Sequence, residues 1–184
     1  NDIGIHIHKE ERGFHNSALP YSWDVRLGHK TRDECLDELD DEMRAFVAAH
    51  VDGTRAGRER MRRLLSAMIE SGLMSLDYDD AKTKTARQTF HDRVGNCMSF
   101  TALFVALARE ADLDVAFQTV EVPPIWYADS DLVILNNHVN ALVKQRFGSR
   151  VVVDFNVTEL KGDYETREVS DEYALALYYN NVAM

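Results

Sequence analysis

Arg93-Val94-Gly95-Asn96-Cys97-Met98-Ser99-Phe100, followed directly by an apolar run to Ala111, is the stretch on which the reading of this chain turns. Phe100, Leu103, Phe104, Leu107, Ala108 and Ala111 recur at steps of three and four, the period of a helix face turned to a core. The run predicts a buried helix starting at Cys97 with Asn96 as its N-cap. A thiol at such a point meets unpaired backbone N–H groups and the positive end of the helix dipole, and both favour a thiolate. The bland alternative is packing, since cysteine is a small apolar residue often buried for that reason alone. Gly95, just ahead of the cap, permits the sharp or close-packed backbone that a strained entry into the helix requires.

Around that stretch, 184 residues with 45% hydrophobic content are enough to bury a full core in a single domain. The formal charge is −10, from 31 acidic residues against 21 Lys plus Arg. That balance argues against a nucleic-acid or anionic-membrane partner and for a peptide, protein or small molecule. Cys35 and Cys97 are the two cysteines, too few for a disulfide framework. No Cys/His cluster has zinc spacing, so neither metal nor cofactor is expected. Cys35 lies among Asp33, Glu34, Asp37 and Glu38, whose negative field disfavours a thiolate, and it reads as structural. A Cys35–Cys97 disulfide in an oxidising compartment is a competing state that would block the nucleophile. No apolar run reaches the about eighteen residues of a membrane span. The first residue is Asn1 rather than Met, from which the expectation is a removed leading segment, with the bacterial cell envelope or periplasm favoured over the cytoplasm.

Residues 1–30 read as an extended arm. His6 and His8 alternate with Ile3, Ile5 and Ile7, and with His15 they offer three imidazoles but no spaced acidic or thiol ligand. Thr31-Arg32-Asp33-Glu34 has the form of a capping box and predicts a helix over 32–50. A second helix is expected to run to Gly72, bearing the basic cluster Arg55, Arg58, Arg60, Arg62 and Arg63, read as a solvated face. Residues 73–84 read as a loop through the acidic Asp77, Asp79 and Asp80. Thr85-Ala86-Arg87-Gln88 is a second capping box, predicting a short helix to His91 that delivers the chain to Gly95.

Beyond Ala111 the period changes to two, predicting a strand over 115–122 closed by Pro123-Pro124. A loop over 125–131 carries Trp126 and Tyr127, and strands are expected over 132–143 and 150–157. Read as a hairpin with its midpoint near 146–147, the last two place His138 and Asp154 each eight residues from position 146 and nearly opposite one another. The chain is then polar until Ser170 caps a helix over 173–184.

A cysteine at a helix start with a histidine and an aspartate on neighbouring strands suits nucleophilic acyl chemistry. His138 would take the thiol proton and return it to the leaving group, and Asp154 would fix the imidazole tautomer. The backbone N–H of Cys97 would stabilise an oxyanion, and Asn96, Gln118 and Trp126 are the candidates for a second donor or a substrate contact.

Gly95-Asn96-Cys97-Met98-Ser99-Phe100 with its following helix, Asn137-His138-Val139-Asn140, and Val153-Asp154-Phe155-Asn156 together resemble the motifs of the transglutaminase-like superfamily. The run from Thr85 through Phe117-Gln118-Thr119-Val120-Glu121-Val122-Pro123-Pro124 and Trp126 is similar to bacterial transglutaminase-like domains that precede tetratricopeptide repeats. The resemblance covers roughly residues 60–184. It implies a papain-like α+β fold, with N-terminal helices and a nucleophile helix packed on an antiparallel sheet. A transglutaminase-like domain is then expected over 31–172, with the terminal helix 173–184 leading towards a repeat domain. It also implies Cys97 as nucleophile, His138 as base and Asp154 as its orienting partner. Three readings share those residues: a cysteine peptidase or amidase working through a thioester, a transglutaminase passing the acyl group to an amine, and a non-catalytic peptide-binding module.

Overall fold

Asp40 sets the first boundary, because its Oδ1 accepts from the Met43 N–H at 2.9 Å and so caps helix α1, Asp41–Val51. The computed structural model describes residues 40–51, 53, 56–74, 77–79, 82–121, 127–129, 132–134, 138–155 and 164–182. Of the helix expected over 32–50, the described residues hold Asp41–Val51, and residues 32–39 lie outside them. The capping box at 31–34, the arm at 1–30 with His6, His8 and His15, Cys35 and Trp126 lie outside the described residues. Helix α2, Gly57–Glu70, turns Met61, Leu64, Ala67 and Met68 inward. Its Arg62 and Arg63 bond to Glu59 one turn away, the solvated face expected of them.

The stretch expected as a loop holds the two-residue strand β1, Asp77–Tyr78, which pairs in parallel with β2, Val94–Gly95. Two residues are too few for any period to show. Between them, helix α3, Ala86–Asp92, opens on the Thr85–Gln88 capping box, with both reciprocal hydrogen bonds formed. It ends at Arg93, whose left-handed φ of 58° turns the chain into β2.

Helix α4, Cys97–Glu110, is buried at every position from Cys97 to Ala108, as a helix enclosed by other elements must be. It lies against an antiparallel sheet of β3 (Asp114–Val120), β6 (His138–Lys144), β7 (Arg150–Val153) and β8 (Thr166–Val169), in the order β7-β6-β3-β8. Phe117, Val139, Ala141, Val143 and Val153 alternate onto the face that joins α4 in one buried cluster. Phe155 completes it, its ring centroid 6.2 Å from that of Phe100 and 6.0 Å from that of Phe104.

The expected loop at 125–131 contains β4, Tyr127–Asp129, which forms a separate hairpin with β5, Leu132–Ile134. The single strand expected over 132–143 is accordingly two strands in different sheets. Strand β8 falls where no strand is expected, since Thr166, Arg167 and Glu168 are exposed and only Val169 is buried. Helix α5, Asp171–Val182, starts at Ser170, whose Oγ accepts from the Tyr173 N–H at 3.3 Å. Ala174 carries α5 into the same cluster as Met43 of α1.

The β6–β7 hairpin corrects the expected register. Ala141 faces Val153 and Lys144 faces Arg150, so the turn is centred on position 147, with a 3-10 turn at Arg146–Gly148. Continued one step, that register brings Asp154 level with Asn140 and leaves His138 diagonal to it. The shift conserves the face, and a diagonal pair is still within reach of a long side chain.

Candidate functional site

The start of α4 is built by small polar side chains. Asn96 Oδ1 accepts from the Ser99 N–H at 3.1 Å and lies 3.0 Å from Ser99 Oγ, while Asn96 Nδ2 donates to Thr83 Oγ1 at 2.7 Å. Ser99 is fully buried, and its hydroxyl accepts from the Lys84 N–H at 2.8 Å. The Asn96 amide thus spends both its ends on the helix start, the capping role read for it. Gly95 is needed for close approach rather than for an unusual φ. A Cβ there would stand 2.5 Å from Ser99 Cβ, well inside van der Waals contact. With the Ser99 N–H held by the cap and the Phe100 N–H bonded to the Asn96 carbonyl, the Cys97 and Met98 N–H groups are the first-turn donors not used by it.

Thr101 Oγ1 donates to the Val139 carbonyl at 3.1 Å, pinning the first turns of α4 to the start of β6. Cys97 sits one turn before Thr101, and His138 is the first residue of β6. The two side chains are close enough for Cys97 to act on the titration of the ring, and both are almost wholly buried. On its other side the His138 ring meets Asp154, with Nε2 2.8 Å from Oδ2 and 2.9 Å from Oδ1. Nε2 being taken by the carboxylate, Nδ1 is the ring nitrogen left to exchange a proton with the sulfur.

Burial opposes a charge on this ring. The hydrogen bond to Asp154, the neighbouring Cys97 and the negative charge of the Asp154 carboxylate outweigh burial and raise the His138 pKa from 6.5 to about 9. The imidazole is therefore held as a cation at neutral pH, between two groups that favour it.

Two more polar residues share the His138 face of the sheet. Gln118 stands directly opposite Asn140 across β3 and β6, as Val120 stands opposite His138. Asn140 Nδ2 donates to Asp154 Oδ2 at 3.0 Å. The structure thus brings Cys97, His138 and Asp154 together, places Gln118 one ladder step away, and commits Asn96 to the cap. Asn140 is a site residue that the sequence motifs did not single out. Its signal was available, since it lies two residues from His138 on one strand face. Among the described residues, no group of three or more His, Cys, Asp or Glu side chains is placed to hold a metal ion, and no helix is long and apolar enough to cross a membrane.

A family model described as the transglutaminase-like superfamily matches residues 44–131, from within α1 to just past β4, with Cys97 inside the match and His138 and Asp154 beyond it. No curated protein and no solved structure gives a significant match. Helices followed by an antiparallel sheet, with the cysteine helix packed across that sheet, are the α+β architecture of such a domain. Residues 44–131 are thus similar to the transglutaminase-like superfamily, and the architecture around them is consistent with such an α+β core.

Proposed function

We propose that the chain is a cysteine-dependent peptidase or amidase that attacks a peptide or isopeptide carbonyl through Cys97. The observation that carries the proposal is the buried His138 ring, with Cys97 beside it and Asp154 hydrogen-bonded to its Nε2 at 2.8 Å. In this reading the thiolate–imidazolium pair is the resting state. The sulfur adds to the carbonyl carbon, and the carbonyl oxygen takes the charge beside the Cys97 and Met98 N–H groups. His138 then gives its proton to the leaving amine, the C–N bond breaks, and a thioester remains. Water, deprotonated by His138, adds to the thioester and releases the acid and the free thiol. Asp154 keeps Nε2 protonated and the ring oriented throughout. Gln118 and Trp126 stand as proposed substrate contacts.

A primary amine in place of water would make the same residues a transglutaminase, and without turnover they form a peptide-binding module. Incubation with a casein digest, with and without a fluorescent primary amine, separates the three. New free N-termini or released ammonia without amine incorporation is the expected result. Incorporation exceeding hydrolysis assigns acyl transfer instead. The thiol itself is tested by iodoacetamide at pH 7: Cys97 should be alkylated at least about tenfold faster than Cys35, and His138→Ala should remove the difference. Equal slow labelling of both thiols in the unaltered chain defeats the catalytic reading.

A further inference from the structure

Asp154 follows Val153, the last residue paired in β7, so the strand ladder does not fix its carboxylate. Its side chain retains 14% exposure, enough to turn towards water. What faces it inside is Asn140, 3% exposed, whose Nδ2 donates to the same Oδ2 that lies 2.8 Å from His138 Nε2. A carboxylate accepts and never donates when ionised, so this contact fixes which way the Asn140 amide points.

The opposite end of that amide is informative. Asn140 Oδ1 and Gln118 Oε1 are both buried and neither has a hydrogen-bond partner, though the two residues are a direct ladder pair. A buried acceptor left unsatisfied costs about 1–3 kcal/mol, and directly opposed Cβ atoms stand about 5 Å apart, within side-chain reach. A half-turn of the Gln118 carboxamide keeps its shape and exchanges oxygen for NH2. The NH2 would then be placed to donate to Asn140 Oδ1, which removes the orphan on Asn140.

We infer that Asn140, backed by Gln118, is a positioning residue that holds the Asp154 carboxylate against His138. The inference rests on the proposed roles of Cys97, His138 and Asp154. It gives Gln118 a place in a hydrogen-bonded row across β3, β6 and the end of β7. Without the Asn140 donor the carboxylate loses one of the groups that orient it, and its pairing with the His138 cation weakens.

The test uses Asn140→Leu, of similar size but without a donor, Gln118→Leu, and Asp154→Ala as reference. Two quantities are read: iodoacetamide labelling of Cys97 at pH 7, and the titration of His138 followed by its imidazole proton resonances. In Asn140→Leu, labelling should fall about tenfold and the His138 midpoint should drop by about one pH unit from about 9. Gln118→Leu should slow labelling about threefold and lower the midpoint by less. A merely structural role would lower the unfolding midpoint and leave the titration unmoved. If Asp154→Ala slows Cys97 while a folded Asn140→Leu leaves rate and titration unchanged, the inference is overturned and the proposed function stands. Should Asn140→Leu not fold, an unchanged profile in Gln118→Leu overturns it equally. If Cys97 in the unaltered chain labels no faster than Cys35, the proposed function itself falls.

Discussion

At the scale of single residues, His138 decides how the protein responds to pH. Its folded pKa of about 9 lies above the ordinary 6.5, so folding takes up a proton wherever the unfolded chain has lost it. The resulting stabilisation is complete below about pH 6.5 and is lost as pH rises through 9. At ~1.4 kcal/mol for each pH unit that separates the folded from the unfolded value, the loss amounts to about 3 kcal/mol across that window. Urea unfolding measured from pH 6 to pH 10 should therefore show stability falling over that window. His138→Ala should flatten the decline, and a level profile in the unaltered chain would contradict the cationic ring. In the proposed mechanism the same residue ties stability to chemistry, because the pH that unloads His138 would also remove the acid that protonates a leaving amine.

At the scale of elements, the entry into α4 depends on close packing. Gly95→Ala would drive a Cβ to 2.5 Å from Ser99 Cβ, and Ser99 is held by Lys84 and Asn96. The helix start has to shift, at a cost of about 1–3 kcal/mol for overpacking. Gly57 offers the contrast: its Cβ would meet only Leu113 Cδ2, at 3.8 Å, and Ala in a helix is favoured by up to about 1 kcal/mol. Urea midpoints should accordingly fall for Gly95→Ala and hold or rise for Gly57→Ala; equal responses would remove the close-approach account. Helices α3 and α4 were legible in the sequence because capping residues and a three-four period mark them independently of tertiary context. Strand β8 was not, since Thr166, Arg167 and Glu168 are exposed and leave one buried residue, too few to show alternation. The β6–β7 register was missed by one step because nothing in Arg146-Phe147-Gly148 announces a 3-10 turn. The site survived that error because His138, Asn140 and Asp154 alternate onto one face under either centre. What the error concealed was Asn140, which the observed register brings level with Asp154.

At the scale of the whole molecule, the buried cluster runs from Met43 on α1 through α4 and the sheet to Ala174 on α5, so the first and last described helices bear on one core. The last of them also lies beside the site: Met98 and Ala102, just past Cys97, line a small apolar cavity with Leu175 and Tyr178 of α5. Arg109 near the end of α4 bonds to Asp171 at the start of α5, at 2.8 Å. Packing at α5 and order at Cys97 should therefore rise and fall together. Ala174 has no exposed surface, and a carboxylate forced there has to ionise in the core or drag α5 out of it. Ala174→Asp should thus cost about 3 kcal/mol or more. The expected signature is one urea transition moved to lower denaturant, in which the helical signal and the fast alkylation of Cys97 are lost at the same midpoint. Fast alkylation persisting after the helical signal has partly fallen would mean that α5 docks on a site already complete without it.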